Sequence, residues 1–186
     1  MGDLNMHYVS TLDEAGELVE KHDKYWVSNC GCREPKGECK QSRMDVCLYF
    51  IDYMPPTGSG FHEVDRVFVD GIFAEAIDKH LVPRPFRDID QQTKKILPET
   101  TGVCFCCNCC CGYLTSPGAK DSCDKGKFIE NTDLDSCSNC GACVEVCYFG
   151  ARKMEDNTLV VIKEDCFGCG VCVEVCPTSC IEMKRR

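Results

Sequence analysis

One cysteine spacing occurs twice in the last fifty residues of the chain, and it limits what this part can fold into. Each copy reads Cys-x2-Cys-x2-Cys-x3-Cys. Three cysteines at intervals of three on a tight loop can direct their thiolates at three corners of one cube, whereas the fourth cannot easily reach the same cube. A single fragment of this kind could bind zinc, whereas two complete copies indicate iron–sulfur clusters. The copies are Cys137, Cys140, Cys143 and Cys147, then Cys166, Cys169, Cys172 and Cys176.

Residues 130 to 184, which contain both copies, resemble the bacterial two-cluster (2 x 4Fe-4S) ferredoxins. The resemblance implies a pseudo-twofold βαββαβ fold and one-electron transfer at low potential. It also implies crossed ligation, in which the fourth cysteine of each copy binds the cluster of the other copy. One 4Fe-4S centre would then use Cys137, Cys140, Cys143 and Cys176, and the other Cys166, Cys169, Cys172 and Cys147.

The chain departs from the ferredoxin pattern at two positions. Tyr148 stands where a proline usually follows the fourth cysteine, and it can shift the potential or the docking surface without removing a ligand. Cys180 stands where that fold commonly has a small residue. We expect Cys180 to be a buried small hydrophobic residue rather than an extra ligand.

Six more cysteines lie within residues 104 to 111, which read C-F-C-C-N-C-C-C. Neighbours in an extended chain point to opposite sides, so one cubane is not expected to bind all six. The run can lie between two metal centres or bind a larger, non-cubane cluster. Reactive or structural thiols are the alternative. The candidate ligands are Cys104, Cys106, Cys107, Cys109, Cys110 and Cys111.

A further candidate set lies near the N terminus and comprises Cys30, Cys32, Cys39 and Cys47. One zinc ion could use all four, or they could join the later run in one or two additional iron–sulfur clusters, or they could be free thiols. The whole chain is similar to cysteine-rich, 4Fe-4S-binding ferredoxin-like proteins of anaerobes that carry a C-N-C-C type run ahead of the two-cluster domain. Residues 106 to 111 carry this likeness, which implies no defined activity.

The high cysteine content is compatible with two classes of protein, which other features of the sequence distinguish. The chain has 186 residues and 20 cysteines, which is typical either of a secreted disulfide scaffold or of a metal-loaded intracellular protein. The first ten residues lack the basic and apolar pattern of a secretory signal, and no stretch approaches about 20 apolar residues. These features predict a cytoplasmic protein without a membrane span, in an anaerobic or reducing setting.

The net charge of -9 argues against nucleic acid as a partner, because phosphate binding needs a basic face. It suits a redox protein that offers a basic docking patch. The sequence also lacks a dinucleotide-binding glycine motif, a P-loop and a nucleophile elbow, so nucleotide and flavin sites are not indicated.

The predicted fold class is α+β, with two regions that meet near residue 125. Residues 126 to 186 are expected to form the ferredoxin-like βαββαβ dicluster domain. Residues 1 to 125 are expected to form a small, cysteine-rich and mostly helical α/β region, and the polar stretch at 115 to 127 is expected to be the linker across this boundary. The predicted helices span Ser10 to His22, Met44 to Met54 and Gly71 to His80.

These patterns favour an iron–sulfur electron-transfer protein, a one-electron carrier or relay subunit, over an enzyme, because no residue is needed as an acid or base. The alternative is a redox-catalytic or reductive-activator subunit, an iron–sulfur oxidoreductase with an unusual cluster at Cys104 to Cys111. A zinc-stabilised docking module fused to a ferredoxin is a third reading. The sequence leaves open whether the 104 to 111 run binds metal within one chain or across a homodimer interface.

Overall fold

A computed structural model describes residues 4–52, 60–116 and 122–186 of the chain. The N-terminal part contains a sheet of seven strands in the order β4-β2-β3-β6-β5-β1-β7. Neighbouring strands are antiparallel except for β1 and β7, which run parallel. The strands are β1 His7–Tyr8, β2 Tyr25–Ser28, β3 Cys47–Tyr49, β4 His62–Val64, β5 Val82–Ile89, β6 Ile96–Cys106 and β7 Cys123–Asp124.

Three helices accompany this sheet: α1 Leu12–Val19, α2 Arg66–Asp78 and α3 Gly112–Thr115. The first begins in a capping box, in which the Thr11 hydroxyl accepts from the Glu14 backbone and the Glu14 carboxylate accepts from the Thr11 backbone. The helices predicted at 10 to 22 and 71 to 80 are therefore present, the second beginning five residues earlier than expected. Apolar residues of α1 and α2 pack with those of β2, β3 and β6 in one buried cluster.

The prediction of a mostly helical N-terminal region is wrong. The helix expected at 44 to 54 is strand β3, whose Leu48 pairs with Val27 on one side and Val103 on the other. Leu48 is fully buried, so pairing within the sheet outweighs the helical spacing of its neighbours. Residues 53 and 54 of that prediction lie outside the described residues.

The predicted linker at 115 to 127 also contains a strand. Cys123 and Asp124 form β7, and they pair with His7 and Tyr8 of β1. Short polar sequences give little periodicity, so this edge strand had no signal in the sequence. No helix in the described parts of the chain has the length and apolar character needed to span a membrane.

The C-terminal part has the order βαββαβ. Its elements are β8 Phe128–Thr132, α4 Ala142–Glu145, β9 Arg152–Glu155, β10 Thr158–Val161, α5 Val171–Glu174 and β11 Ile181–Arg185. Strand β8 pairs with β11, and β9 pairs with β10, both antiparallel. In each copy the first two cysteines precede a short helix, the third lies within it, and a strand follows the fourth. The α+β class is confirmed.

A buried cluster joins the two parts of the chain. It contains Val9 and Val82 from the seven-stranded sheet together with Phe149 and Phe167 from the C-terminal part. The two phenylalanine rings are stacked with centroids 4.4 Å apart. Cys106 and Cys111 lie in the same cluster, so the thiols of the N-terminal part share a core with the ferredoxin-like loops.

Candidate metal centres

The two cysteine loops have matching backbone conformations. Asn139 and Gly141 in the first loop have φ of +54° and +79°, and the corresponding Gly168 and Gly170 in the second have +85° and +79°. Left-handed residues turn the chain tightly enough for cysteines three apart to face one point. At Gly168 a Cβ would lie 2.1 Å from the Phe128 carbonyl oxygen, so only glycine fits there.

The thiols of the ferredoxin-like part line two separate cavities in the crossed pattern. Each cavity is lined by the first three cysteines of one copy and by the fourth cysteine of the other copy. The fourth cysteine of each copy comes after the short helix that contains the third cysteine. One cavity is lined by Cys137, Cys140, Cys143 and Cys176, and the other by Cys166, Cys169, Cys172 and Cys147. Cys140 is the exposed member of these eight.

A buried ion pair lies between the two cavities. Arg152 Nη2 donates to Glu130 Oε2 at 2.5 Å, and each side chain is 1% exposed. Arg152 also donates through Nη1 to Cys143 Sγ at 3.4 Å, while its side chain lines the second cavity. A fixed cation therefore lies against thiols of both sets, where it can offset the negative charge of bound clusters.

Burial makes two of these thiols hard to ionise. It raises the pKa of Cys169 to about 12, and it raises the pKa of Cys172 to about 12 although Arg152 acts in the opposite direction. Cys-ligated iron requires thiolates, so metal binding must displace these protons.

The N-terminal thiols fall into two groups. Each group combines cysteines from the early set, residues 30 to 47, with cysteines from the run at 104 to 111. One group brings together Cys39, Cys107, Cys109 and Cys110, whose sulfurs all lie within 4.8 Å of one another. Among the described residues this is the one group of three or more potential ligands packed so closely. Cys39 is thereby separated from the other three cysteines of the early set.

The second group surrounds a cavity of about 220 Å³, whereas the two ferredoxin cavities have volumes of about 10 and 20 Å³. Cys47 Sγ lies 3.9 Å from Cys104 Sγ. Hydrogen bonds link further members, and those with Cys106 and Cys32 raise the pKa of Cys111. Eight thiols line this cavity. Two of them, Cys107 and Cys110, belong to the first group, and the other six form the six-thiol group: Cys30, Cys32, Cys47, Cys104, Cys106 and Cys111.

Arg84 places a cation at this six-thiol cavity. It is 1% exposed, its Nη1 lies 3.6 Å from Cys111 Sγ and 3.8 Å from Cys106 Sγ, and its guanidinium stacks on Tyr113 at 3.8 Å. Its Nη2 atom is buried and has no hydrogen-bond partner in the described part of the chain. Such an orphaned donor fits a negatively charged occupant of the cavity.

Three arginines of these sites, Arg33, Arg84 and Arg152, are buried, and the sequence analysis did not identify them. Nothing in their spacing marks them, since a buried arginine is recognised by what it packs against. Cys180 is buried, as predicted, but its sulfur lies 3.5 Å from Cys176 Sγ and it lines the same cavity as Cys176, so its exclusion as a ligand stays a prediction. Cys123, also buried, accepts from Arg84 Nε at 3.4 Å.

A family model described as a 4Fe-4S dicluster domain matches residues 129–177. No curated protein matches the chain. The chain therefore carries a 4Fe-4S ferredoxin-like domain near its C terminus. This domain and the content of 20 cysteines support an iron–sulfur electron-transfer protein.

Proposed function

We propose that the chain relays single electrons through two 4Fe-4S clusters and onward to a cluster in the N-terminal part. The observation that carries this proposal is the crossed lining of the two cavities by the eight repeated cysteines. Bound clusters supply the redox chemistry, and the protein holds them close together, excludes water and sets their potentials. We also propose the boundary near residue 125, with residues 126 to 186 as the dicluster domain.

We propose a direction for the relay from the packing. Cys140, which lines one ferredoxin cavity, is exposed, and the buried cluster beside that cavity also has Cys172 of the other set packed against it. The other ferredoxin cavity contains Phe149 and Phe167, which share a core with Cys106 and Cys111 of the six-thiol group. Electrons would enter from a partner near Cys140 and leave toward the N-terminal part.

The partner proposed for this route is a redox protein with a basic docking patch, in the cytoplasm of an anaerobic cell. The net charge of -9 would steer such a partner, and bound clusters would add negative charge. Faster electron transfer at low salt is the expected signature, because salt screens attraction between exposed charges.

The test is electron counting on anaerobically purified protein. The reduced protein, freed of excess reductant, is mixed with an oxidised viologen, and the electrons delivered per chain are counted. The dicluster domain should deliver two, and an N-terminal cluster should add to them. Delivery of fewer than two electrons, or reduction that cannot be reversed, would refute the carrier function.

A second candidate function is supported by the six-thiol cavity. Its volume is more than ten times that of either ferredoxin cavity, and the Nη2 atom of Arg84, which has no hydrogen-bond partner among the described residues, is buried at its wall. We propose that a non-cubane iron–sulfur cluster bound there gives the chain a redox-catalytic or activating role. The six thiolates would hold the cluster, and Arg84 would offset its charge and orient an anionic substrate.

Arg84→Met and Arg87→Met distinguish this site from the ferredoxin clusters. Arg87 lies on the same strand and pairs with Asp124 instead of a thiol, so it is the matched control. Arg84→Met should change the spectrum of the additional cluster and leave the two 4Fe-4S signals in place. The proposed redox-catalytic role would be contradicted if both variants and the parent gave identical spectra and if small-molecule substrates changed none of them.

A further inference from the structure

We propose that Cys39, Cys107, Cys109 and Cys110 bind one zinc ion that fastens the loop between β2 and β3 to the end of β6. The inference goes beyond the proposed function, because zinc has no redox chemistry and takes no part in an electron relay. It divides the ten cysteines of residues 30 to 111 into four zinc ligands, two of which also line the neighbouring cavity, and the six-thiol group.

The sulfur positions fit a single ion. Cys39 Sγ lies 3.7 Å from Cys107 Sγ and 3.6 Å from Cys109 Sγ, and Cys109 Sγ lies 3.5 Å from Cys107 Sγ and 3.6 Å from Cys110 Sγ. With zinc–sulfur bonds of about 2.3 Å, the sulfurs of a regular tetrahedron are about 3.8 Å apart. Four of the six edges therefore already have nearly the length that one zinc ion requires.

A cubane fits these positions less well. Its four cysteines bind four different irons at alternate corners of a cube, which holds the sulfurs farther apart than ligands of one ion. The ferredoxin sets in the same chain provide the comparison, since neither of them forms a group within 4.8 Å among the described residues. The close packing is thus particular to these four thiols.

The surroundings favour zinc and a structural role. Four thiolates complete the tetrahedral coordination that zinc prefers and leave no open position for a substrate. Cys107 and Cys110 are 1% and 6% exposed and belong to the buried core of the N-terminal part. Complete coordination by four soft ligands is typical of zinc that stabilises a fold.

Positive charge lies close to this group of thiols. Arg33 is fully buried, interacts electrostatically with Cys107 and Cys39, and donates through Nη2 to the Phe105 carbonyl at 2.9 Å. Lys36 Nζ donates to the Cys109 carbonyl at 2.8 Å. Four thiolates around a divalent ion carry a net negative charge, which these cations offset.

The ion would set the geometry of the neighbouring cavity. Cys39 is on the loop of residues 29 to 46, which also carries Cys30 and Cys32 of the six-thiol group. The other three zinc ligands lie between Cys106 and Cys111, which belong to that group as well. One bond from zinc to Cys39 would therefore hold both walls of the cavity in register.

Metal analysis of the full chain, purified without oxygen, tests the inference. The parent and Cys180→Ser, a buried thiol outside the group, should each contain one zinc per chain. Cys39→Ser should lose the zinc, retain the iron and sulfide of the two 4Fe-4S clusters, and be cut faster by trypsin within residues 29 to 46.

X-ray absorption at the zinc edge of the parent needs no variant, so it remains decisive if Cys39→Ser fails to fold. Four sulfur neighbours at about 2.3 Å support the site. A parent without zinc, zinc bound to nitrogen or oxygen, or loss of several irons with sulfide from Cys39→Ser would overturn it. Loss of one iron without sulfide would keep a single-ion site but overturn its assignment to zinc.

Discussion

Removing the charge of Arg152 is expected to lower the potential of the cluster proposed at Cys143. Arg152 Nη1 lies 3.4 Å from Cys143 Sγ, and the electron added on reduction spreads over a cluster that begins beyond this sulfur. Treating the electron as a unit charge about 6 Å away, at an effective dielectric of about 20, gives an attraction of about 3 kcal/mol. For a one-electron couple this corresponds to about 120 mV.

The variant must not leave the Glu130 carboxylate buried without an ionic partner. Arg152→Met alone would leave Glu130 buried without its partner, at a cost of about 3–5 kcal/mol, or would make it take up a proton. The comparison is therefore between Glu130→Gln and the double variant Glu130→Gln with Arg152→Met. The two proteins differ only in the arginine.

The assay is a redox titration of anaerobic protein followed by electron paramagnetic resonance. Glu130→Gln should raise the potential relative to the parent, because a buried negative charge is removed. Adding Arg152→Met should then lower it by about 120 mV, with Arg152→Lys in the same background falling much less. A shift below about 20 mV on loss of the arginine would refute the reasoning that Arg152 stabilises the reduced cluster.

Two further substitutions test the backbone and the ligand sets. Gly168→Ala should weaken the fold well beyond the roughly 1 kcal/mol expected for Gly150→Ala, because both residues have positive φ but only at Gly168 would a Cβ strike the Phe128 carbonyl oxygen. Thermal loss of cluster absorbance measures this, and equal midpoints would contradict it. Cys180→Ser should retain the full iron and sulfide content, whereas Cys176→Ser should lose part of it. A matching loss in both would make Cys180 a ligand.

The C-terminal half was largely predictable because its constraints are local. Cysteines at intervals of three fix the loop, and the positions of Gly141, Gly168 and Gly170 match the turns that the loop needs. The order βαββαβ then came with the resemblance, and the structure has the same order.

The N-terminal half was less predictable because its groups are assembled across the sheet. Cys39 meets Cys107 across 68 positions of sequence, and Leu48 lies in a strand because it has a neighbour on each side. The periodicity of apolar residues along the chain reveals neither of these long-range contacts, so the sequence predicts a helix where β3 lies. The sequence predicts that the run at 104 to 111 is too long for one cubane, but how its thiols are grouped depends on where the turn after β6 directs each of them.

Electron paramagnetic resonance of the fully reduced protein tests the central claim most directly. Arg152 lies against thiols of both ferredoxin sets, so the two clusters must be near neighbours. The account predicts a broad, split signal from coupled spins, integrating to about two spins per chain from the dicluster domain, with an N-terminal cluster adding to it. A single narrow signal from one isolated cluster would contradict the crossed pair of clusters on which the relay depends.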